Sequence, residues 1–133
     1  MTVMIDTNII FSAVLFPNGK TAQALLKALQ PPYQPVISDY VIDELRQKVR
    51  EKFPHRLMEL ESFLFNFLPA FKVVSTPEED LEEEKMIRDT KDRPILRAAL
   101  SAGTDLILSG DKDFLQSAIE YPQIVSVPDF LSM

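Results

Sequence analysis

The sequence predicts a single α/β domain built on a mostly parallel sheet, and three observations carry that expectation. Thr2-Val3-Met4-Ile5 is a short run of apolar and β-branched residues that ends in an acid, Asp6, followed by Thr7 and Asn8. A continuous apolar strand suits the middle of a parallel sheet, buried on both faces. An acid at its carboxyl end falls on the rim where open sheets of this kind place their ligands. The same pattern returns near the other end, in Leu106-Ile107-Leu108-Ser109-Gly110-Asp111. Between the two copies, strand-like and helix-like segments alternate, which argues for four or five strands joined by right-handed crossovers.

The elements follow in order. Ile9 to Leu15 continues apolar into a turn signal, Phe16-Pro17-Asn18-Gly19-Lys20. Thr21 opens a helix with Ala24, Leu25, Ala28 and Leu29 on one face, stopped by Pro31-Pro32. Pro35-Val36-Ile37 reads as a second strand, with proline at its tolerated first position. Ser38 is a natural N-cap for a helix running to about Phe53, whose stripe is Val41, Leu45 and Val49. After Pro54, residues 55–68 form a third helix, ended by Pro69, and Phe71 to Ser75 a third strand. Glu78 to Glu84 holds six acids in seven residues and reads as a solvated helix start. Asp89 to Pro94 begins the next helix, with Ile95, Leu96, Ala99, Leu100 and Ala102 inward and Gly103 as its stop. Leu106 to Leu108 is the fourth strand, with a helix from about Asp111 to Ile119 after it. Ile124 to Val127 is the fifth strand, and Pro128 to Leu131 a closing helical turn.

Composition narrows the chemistry. At 133 residues, with 46% hydrophobic residues, residues 1–133 make one domain with a full core. There is no cysteine, so disulfides, thiolate metal sites and a cysteine nucleophile are excluded. A lone histidine, His55, builds no histidine-rich site. No apolar run is long enough to span a bilayer and no secretory signal opens the chain, so a soluble, cytoplasmic protein is expected. The net charge of −6 argues against a protein that coats nucleic acid, though not against a nuclease.

Four acids fall at related places in this layout. Asp6 and Asp111 end strands, Glu44 lies early in the helix after the second strand, and Asp92 opens the helix before the fourth. In a parallel sheet these places point to one rim, which Asn8 and Ser109 share. Each acid has a plainer reading: Asp92 and Asp111 as N-caps, Asp6 as a turn and cap residue, Glu44 as a boundary glutamate. Together they favour a metal site. Packed carboxylates repel unless a cation is present, and Mg²⁺ or Mn²⁺ are hard ions that prefer oxygen ligands. Such ions lower the pKa of a bound water and brace a phosphodiester for in-line attack.

At this point the residues resemble a known family. Ile5-Asp6-Thr7-Asn8, the spacing Ser38-x-x-Val41-x-x-Glu44-Leu45, Asp92-x-x-Ile95-Leu96-x-x-Ala99 and Leu108-Ser109-Gly110-Asp111-Lys112-Asp113-Phe114 are together similar to the PIN domain. The closer resemblance is to the PIN toxins of prokaryotic toxin–antitoxin pairs, the VapC-like ribonucleases. It implies a three-layer α/β/α fold with a five-stranded parallel sheet in the order 3-2-1-4-5. It also implies a hydrolase of RNA phosphodiester bonds dependent on Mg²⁺ or Mn²⁺, leaving a 5′-phosphate and a 3′-hydroxyl. Asp6, Glu44, Asp92 and Asp111 match the family's acidic quartet, with Asp6, Asp92 and Asp111 as metal ligands and Glu44 completing the shell. Asn8 and Ser109 match supporting positions, Asp113 a position that is often acidic. Asp92 is favoured over Asp89 as the ligand.

The rivals fit worse. An aspartyl-phosphate domain of the haloacid-dehalogenase pattern needs an acid where Asn8 stands, and a receiver domain needs a lysine near Val127-Pro128. A non-catalytic binding module with this fold remains an alternative, opposed by the intact quartet. Residues 46–56 carry five basic side chains (Arg46, Lys48, Arg50, Lys52 and Arg56) against one acid, Glu51, and are the candidate RNA grip. In the helix after Pro54, Leu57, Leu60, Leu64 and Leu68 already complete an inward stripe. Adding Phe63, Phe65 and Phe67 widens the apolar surface to roughly 200°, about twice an ordinary core-facing stripe. That excess predicts self-association as a homodimer, with an antitoxin protein as a second partner.

Overall fold

The first strand is the centre of the sheet. β1 (Thr2–Ile5) has parallel neighbours on both sides, and Val3, Met4 and Ile5 have no exposed surface. The computed structural model describes residues 1–133. β2 (Gln34–Ser38), β3 (Lys72–Val74), β4 (Leu106–Leu108) and β5 (Gln123–Val125) complete one parallel sheet in the order β3-β2-β1-β4-β5. Flanking helices are α1 (Thr7–Leu15), α2 (Lys20–Ala28), α3 (Asp39–Lys52), α4 (Leu57–Phe67), α5 (Arg93–Ser101), α6 (Lys112–Leu115) and α7 (Val127–Leu131). The chain builds outward from β1 to β3, then returns through α5 to the other side of β1. The sheet order therefore reverses between β1 and β4, the place where open α/β sheets leave a crevice.

Several elements form for the reasons visible in the sequence. The Ser38 hydroxyl accepts from the Val41 amide and caps α3, whose Val41, Leu45 and Val49 are buried. Gly103, at φ +65°, takes the left-handed turn that ends α5.

Others differ. The apolar stretch 9–15 is a helix, α1, burying Ile9, Ile10 and Ala13. Its threonine, isoleucines, phenylalanine and valine favour strands and cover most of the helix surface, so the helical period is hard to see. α6 spans only Lys112–Leu115, short of Ile119, and β5 lies at Gln123–Val125 rather than reaching Val127. The helix after Pro54 is α4 with a 3₁₀ turn on each side, at Pro54–Arg56 and Leu68–Ala70.

The broad apolar face of α4 divides in two. Leu60 and Leu64 are buried, while Phe63 and Phe67 stack at 4.9 Å and wall a small apolar groove with Leu25, Leu26 and Leu29 of the α2 region. Met58 and Phe65 lie seven residues apart, hence on one side of the helix, and are 85% and 83% exposed.

The acidic run holds a surprise in its last residue. Glu84, in a 3₁₀ turn at Glu83–Met86, is buried. Arg97 of α5 donates to both of its oxygens at 3.0 and 2.9 Å, and also to Asp80 and to the Pro77 carbonyl. These donors hold the Glu84 carboxyl below its usual range. The clasp ties residues 77–86 to the helix whose start carries Asp92. Arg97→Met strands a buried carboxylate, so unfolding in urea is expected to show a loss of about 3–5 kcal/mol.

Candidate metal centre

Strand register puts Asp6 beside Ser109. Ile5 pairs with Leu108, and the Asp6 amide donates to the Leu108 carbonyl at 3.1 Å, carrying the ladder one step past β1. The Ser109 hydroxyl donates to Asp6 Oδ2 at 2.6 Å and accepts from the Asp111 amide at 3.0 Å. A hydroxyl has one proton and two lone pairs, so this serine orients two acids at once. Asp6 precedes α1 but makes no side-chain cap. Its carboxylate faces the rim instead of the helix.

Asp92 stands before α5 and makes no side-chain cap either. It is 5% exposed, and its Oδ2 is buried without a hydrogen-bond partner. Asp111 does act as a cap, accepting from the Asp113 amide at 2.8 Å through Oδ1. One carboxylate oxygen from each of Asp89, Asp92 and Asp111 falls within 4.8 Å of the others. The structure thus brings Asp89 to Asp92 and Asp111, although its sequence position gave it the weaker claim. Glu44 is held differently: Thr7 donates its hydroxyl to one oxygen and Tyr40 its phenol to the other, at 3.0 Å for Tyr40.

Asp6, Thr7, Tyr40, Glu44, Asp89, Asp92 and Asp111 line one cleft of about 330 Å³, with six acids and three lysines, Lys48, Lys52 and Lys91, among its 13 lining residues. Burial pushes the Asp92 carboxyl up to about 9, helped by Asp6, Asp111 and Asp89. Burial also lifts Asp6 to about 6, against the hydrogen bond from Ser109 and with help from Glu44 and Asp111. Tyr40 is raised by burial and by the neighbouring Glu44.

Other candidates fall elsewhere. Asp113 does not line the cleft and contributes its backbone amide to Asp111. Asn8 lies at the cleft, exposed, with its amide oxygen accepting from Lys48. Of the basic stretch, Lys48 and Lys52 reach the cleft, whereas Arg46 pairs with Glu61 at 2.8 Å and Arg50 is exposed outside it. Sequence reading passed over Thr7, Tyr40 and Lys91. Tyr40 carried a signal, since it stands four residues before Glu44 on one helix face.

The donor set fits a divalent cation. It is all oxygen, mostly carboxylate, with no histidine or cysteine to favour softer metals. The orphaned Asp92 Oδ2 is the kind of buried atom that a ligand satisfies, and the acids grouped with Asp92, Asp89 and Asp111, have no proton to give when ionised.

Comparison with known proteins bears on the family and the fold. A family model described as PIN domain matches residues 2–113. Among solved structures, VapBC2 from Rickettsia felis, bound to a DNA fragment from its promoter, is similar at 17% identity and TM-score 0.70, covering 95% of this chain and 98% of that chain. DNA-bound VapBC from Salmonella typhimurium is similar at 16% identity and TM-score 0.67, over 96% and 98%. Mycobacterium tuberculosis VapC20, described as a sarcin-ricin loop cleaving toxin, is similar at 14% identity and TM-score 0.57, over 84% and 92%. No curated protein sequence matches the chain. At these identities the structures share the fold.

The packed acids set the pH dependence of stability without metal. Asp92 and Asp6 have folded values near 9 and 6 against 3.8 unfolded, so the folded state binds the extra protons. Stability is then fully present below the unfolded value and falls as pH rises toward 9. The melting temperature of metal-free protein is expected to drop from about pH 5 to pH 9, and Asp92→Asn to remove most of the drop. Mn²⁺ at about a hundred times its dissociation constant adds about 2.7 kcal/mol at neutral pH. That is roughly 3–5 °C per kcal/mol in a thermal melt, and Asp92→Asn should abolish it.

Proposed function

The chain belongs to the PIN domain family, and from that premise we propose that it is a metal-dependent endoribonuclease, the toxin of a toxin–antitoxin pair. One observation carries the reading: Asp6, Glu44, Asp92 and Asp111, spread over more than 100 residues of sequence, line one cleft at the sheet's switch point. Asp6, Asp92 and Asp111 would hold Mg²⁺ or Mn²⁺, with Asp89 beside them and Glu44 completing the shell directly or through water. Bound there, such an ion supplies a water of lowered pKa and neutralises charge on the phosphodiester.

The protein's own part is to position and to attract. Ser109 fixes the Asp6 carboxylate, the Asp113 amide fixes Asp111, and Thr7 with Tyr40 fixes Glu44. Preset ligands lose little freedom when the ion and substrate arrive. Lys48, Lys52 and Lys91 draw the phosphate backbone to a pocket that is otherwise acidic. No side chain is needed as a covalent nucleophile.

Antitoxin and self-association remain the proposed partners. The VapBC neighbours support the first, and the exposed Met58 and Phe65 support the second.

Purified protein is expected to cleave RNA with Mn²⁺ and not in chelator, with Asp6→Asn and Asp92→Asn each reducing the rate at least about a hundredfold. A protein that binds RNA but never cuts it, with any divalent ion, would make it a binding module. Light scattering at micromolar concentration is expected to show a dimer, weakened by Phe65→Ser. A strict monomer indifferent to that change would remove the self-association.

A further inference from the structure

The basic side chains of the protein differ in one respect that matters. Arg46, Arg56 and Arg97 are each neutralised by a carboxylate, at 2.8, 2.8 and 2.9 Å. Lys48 forms no such ion pair. Its only hydrogen bond runs to the neutral amide oxygen of Asn8, and its ammonium sits 4.4 Å from the centroid of the Phe11 ring. An ammonium carries three donors, so two remain free. The group is half-buried, and burial, with Lys52 beside it, pulls its pKa below the usual range. Glu44 and Asp6 offset this only in part and neither hydrogen-bonds the ammonium, so its two free donors can still take an anion.

Position says which anion. Glu44, Lys48 and Lys52 follow at steps of four on α3, and all three line the cleft. Residues four apart on a helix are about 5–6 Å from each other, so Lys48 lies one turn beyond Glu44 and Lys52 one turn further. Lys91 faces the same cleft from the segment before α5. A strand whose scissile phosphate lay at the acids would pass its next phosphates along this row.

We propose that Lys48 grips the RNA phosphate next to the scissile one, and that Asn8 and Phe11 are positioning residues that hold its ammonium there. The proposal rests on the nuclease reading, which supplies the RNA. It also gives the strand a course, from the acidic cluster along α3 toward its carboxyl end. Asn8 thereby acquires a role apart from the metal: its amide points to the lysine.

The test uses a fluorescent single-stranded RNA of mixed sequence, with binding measured by anisotropy across salt concentrations. Binding is measured on metal-free protein, and steady-state cleavage on the otherwise wild-type protein with Mn²⁺. Lys48→Met is expected to weaken binding roughly tenfold at low salt, as loss of a charge-assisted hydrogen bond does. It should flatten the logarithmic salt slope by about 0.7, the share of one single-stranded phosphate. Lys48→Arg should restore the slope, and Lys72→Ala, on exposed β3 outside the cleft, should leave it alone. Asn8→Ala keeps the charge but frees it, so the slope should hold while KM rises, a split that a merely structural asparagine would not give. If Lys48→Met binds RNA with the wild-type slope and only lowers the metal-free melting point, the lysine balances the acids and the proposal fails. If the wild type cuts no RNA yet the slope depends on Lys48, the nuclease reading fails and the phosphate grip stands.

Discussion

Everything at the rim depends on a contest between like charges in a place with little water. Asp6 and Asp92 are almost wholly buried; Asp89 and Asp111 crowd Asp92, while Glu44 and Asp111 repel the charge on Asp6. A fold gains nothing from such a cluster by itself, because desolvation and repulsion both oppose ionisation. The chain concedes this by giving Asp6 a hydrogen bond from Ser109 and leaving Asp92 Oδ2 with none. One acid is prepared for its charge and the other awaits a partner. Structural needs would have been met more cheaply by asparagine or leucine at either position, which is why the arrangement speaks for a ligand.

The supporting contacts come from elements far apart in sequence. Glu44 is set by a hydroxyl at the start of α1 and a phenol on its own helix, Asp111 by its own cap. Asp92 is steadied less directly, through α5 and the Arg97 clasp on Glu84. A buried ion pair adds little net stability, but it fixes geometry, and here it fixes the segment that carries Asp89 into the cluster. The scaffold and the cleft are therefore not separable layers of the molecule.

The fold was legible because its signals are local. Short apolar runs ending in acids, a serine cap before α3 and a glycine stop after α5 each act within a few residues. The acids too could be placed, since the end of a strand in a parallel sheet has a known address. What stayed hidden was whatever depends on side chains meeting across elements. The burial of Glu84 against Arg97 is invisible in a run of six acids. Nothing local separates Lys48 and Lys52, which face the cleft, from Arg46 and Arg50, which do not. α1 was obscured for another reason: its residues prefer strands, and tertiary burial overrides that preference.

The bond between Ser109 and Asp6 joins residues 103 positions apart. During synthesis the chain emerges from its amino end, and β1 must wait for β4 before its second parallel neighbour exists. Asp92, Ser109 and Asp111 arrive later still than Glu44, so no partial product holds the cluster. The cleft is therefore completed only when most of the chain has been translated.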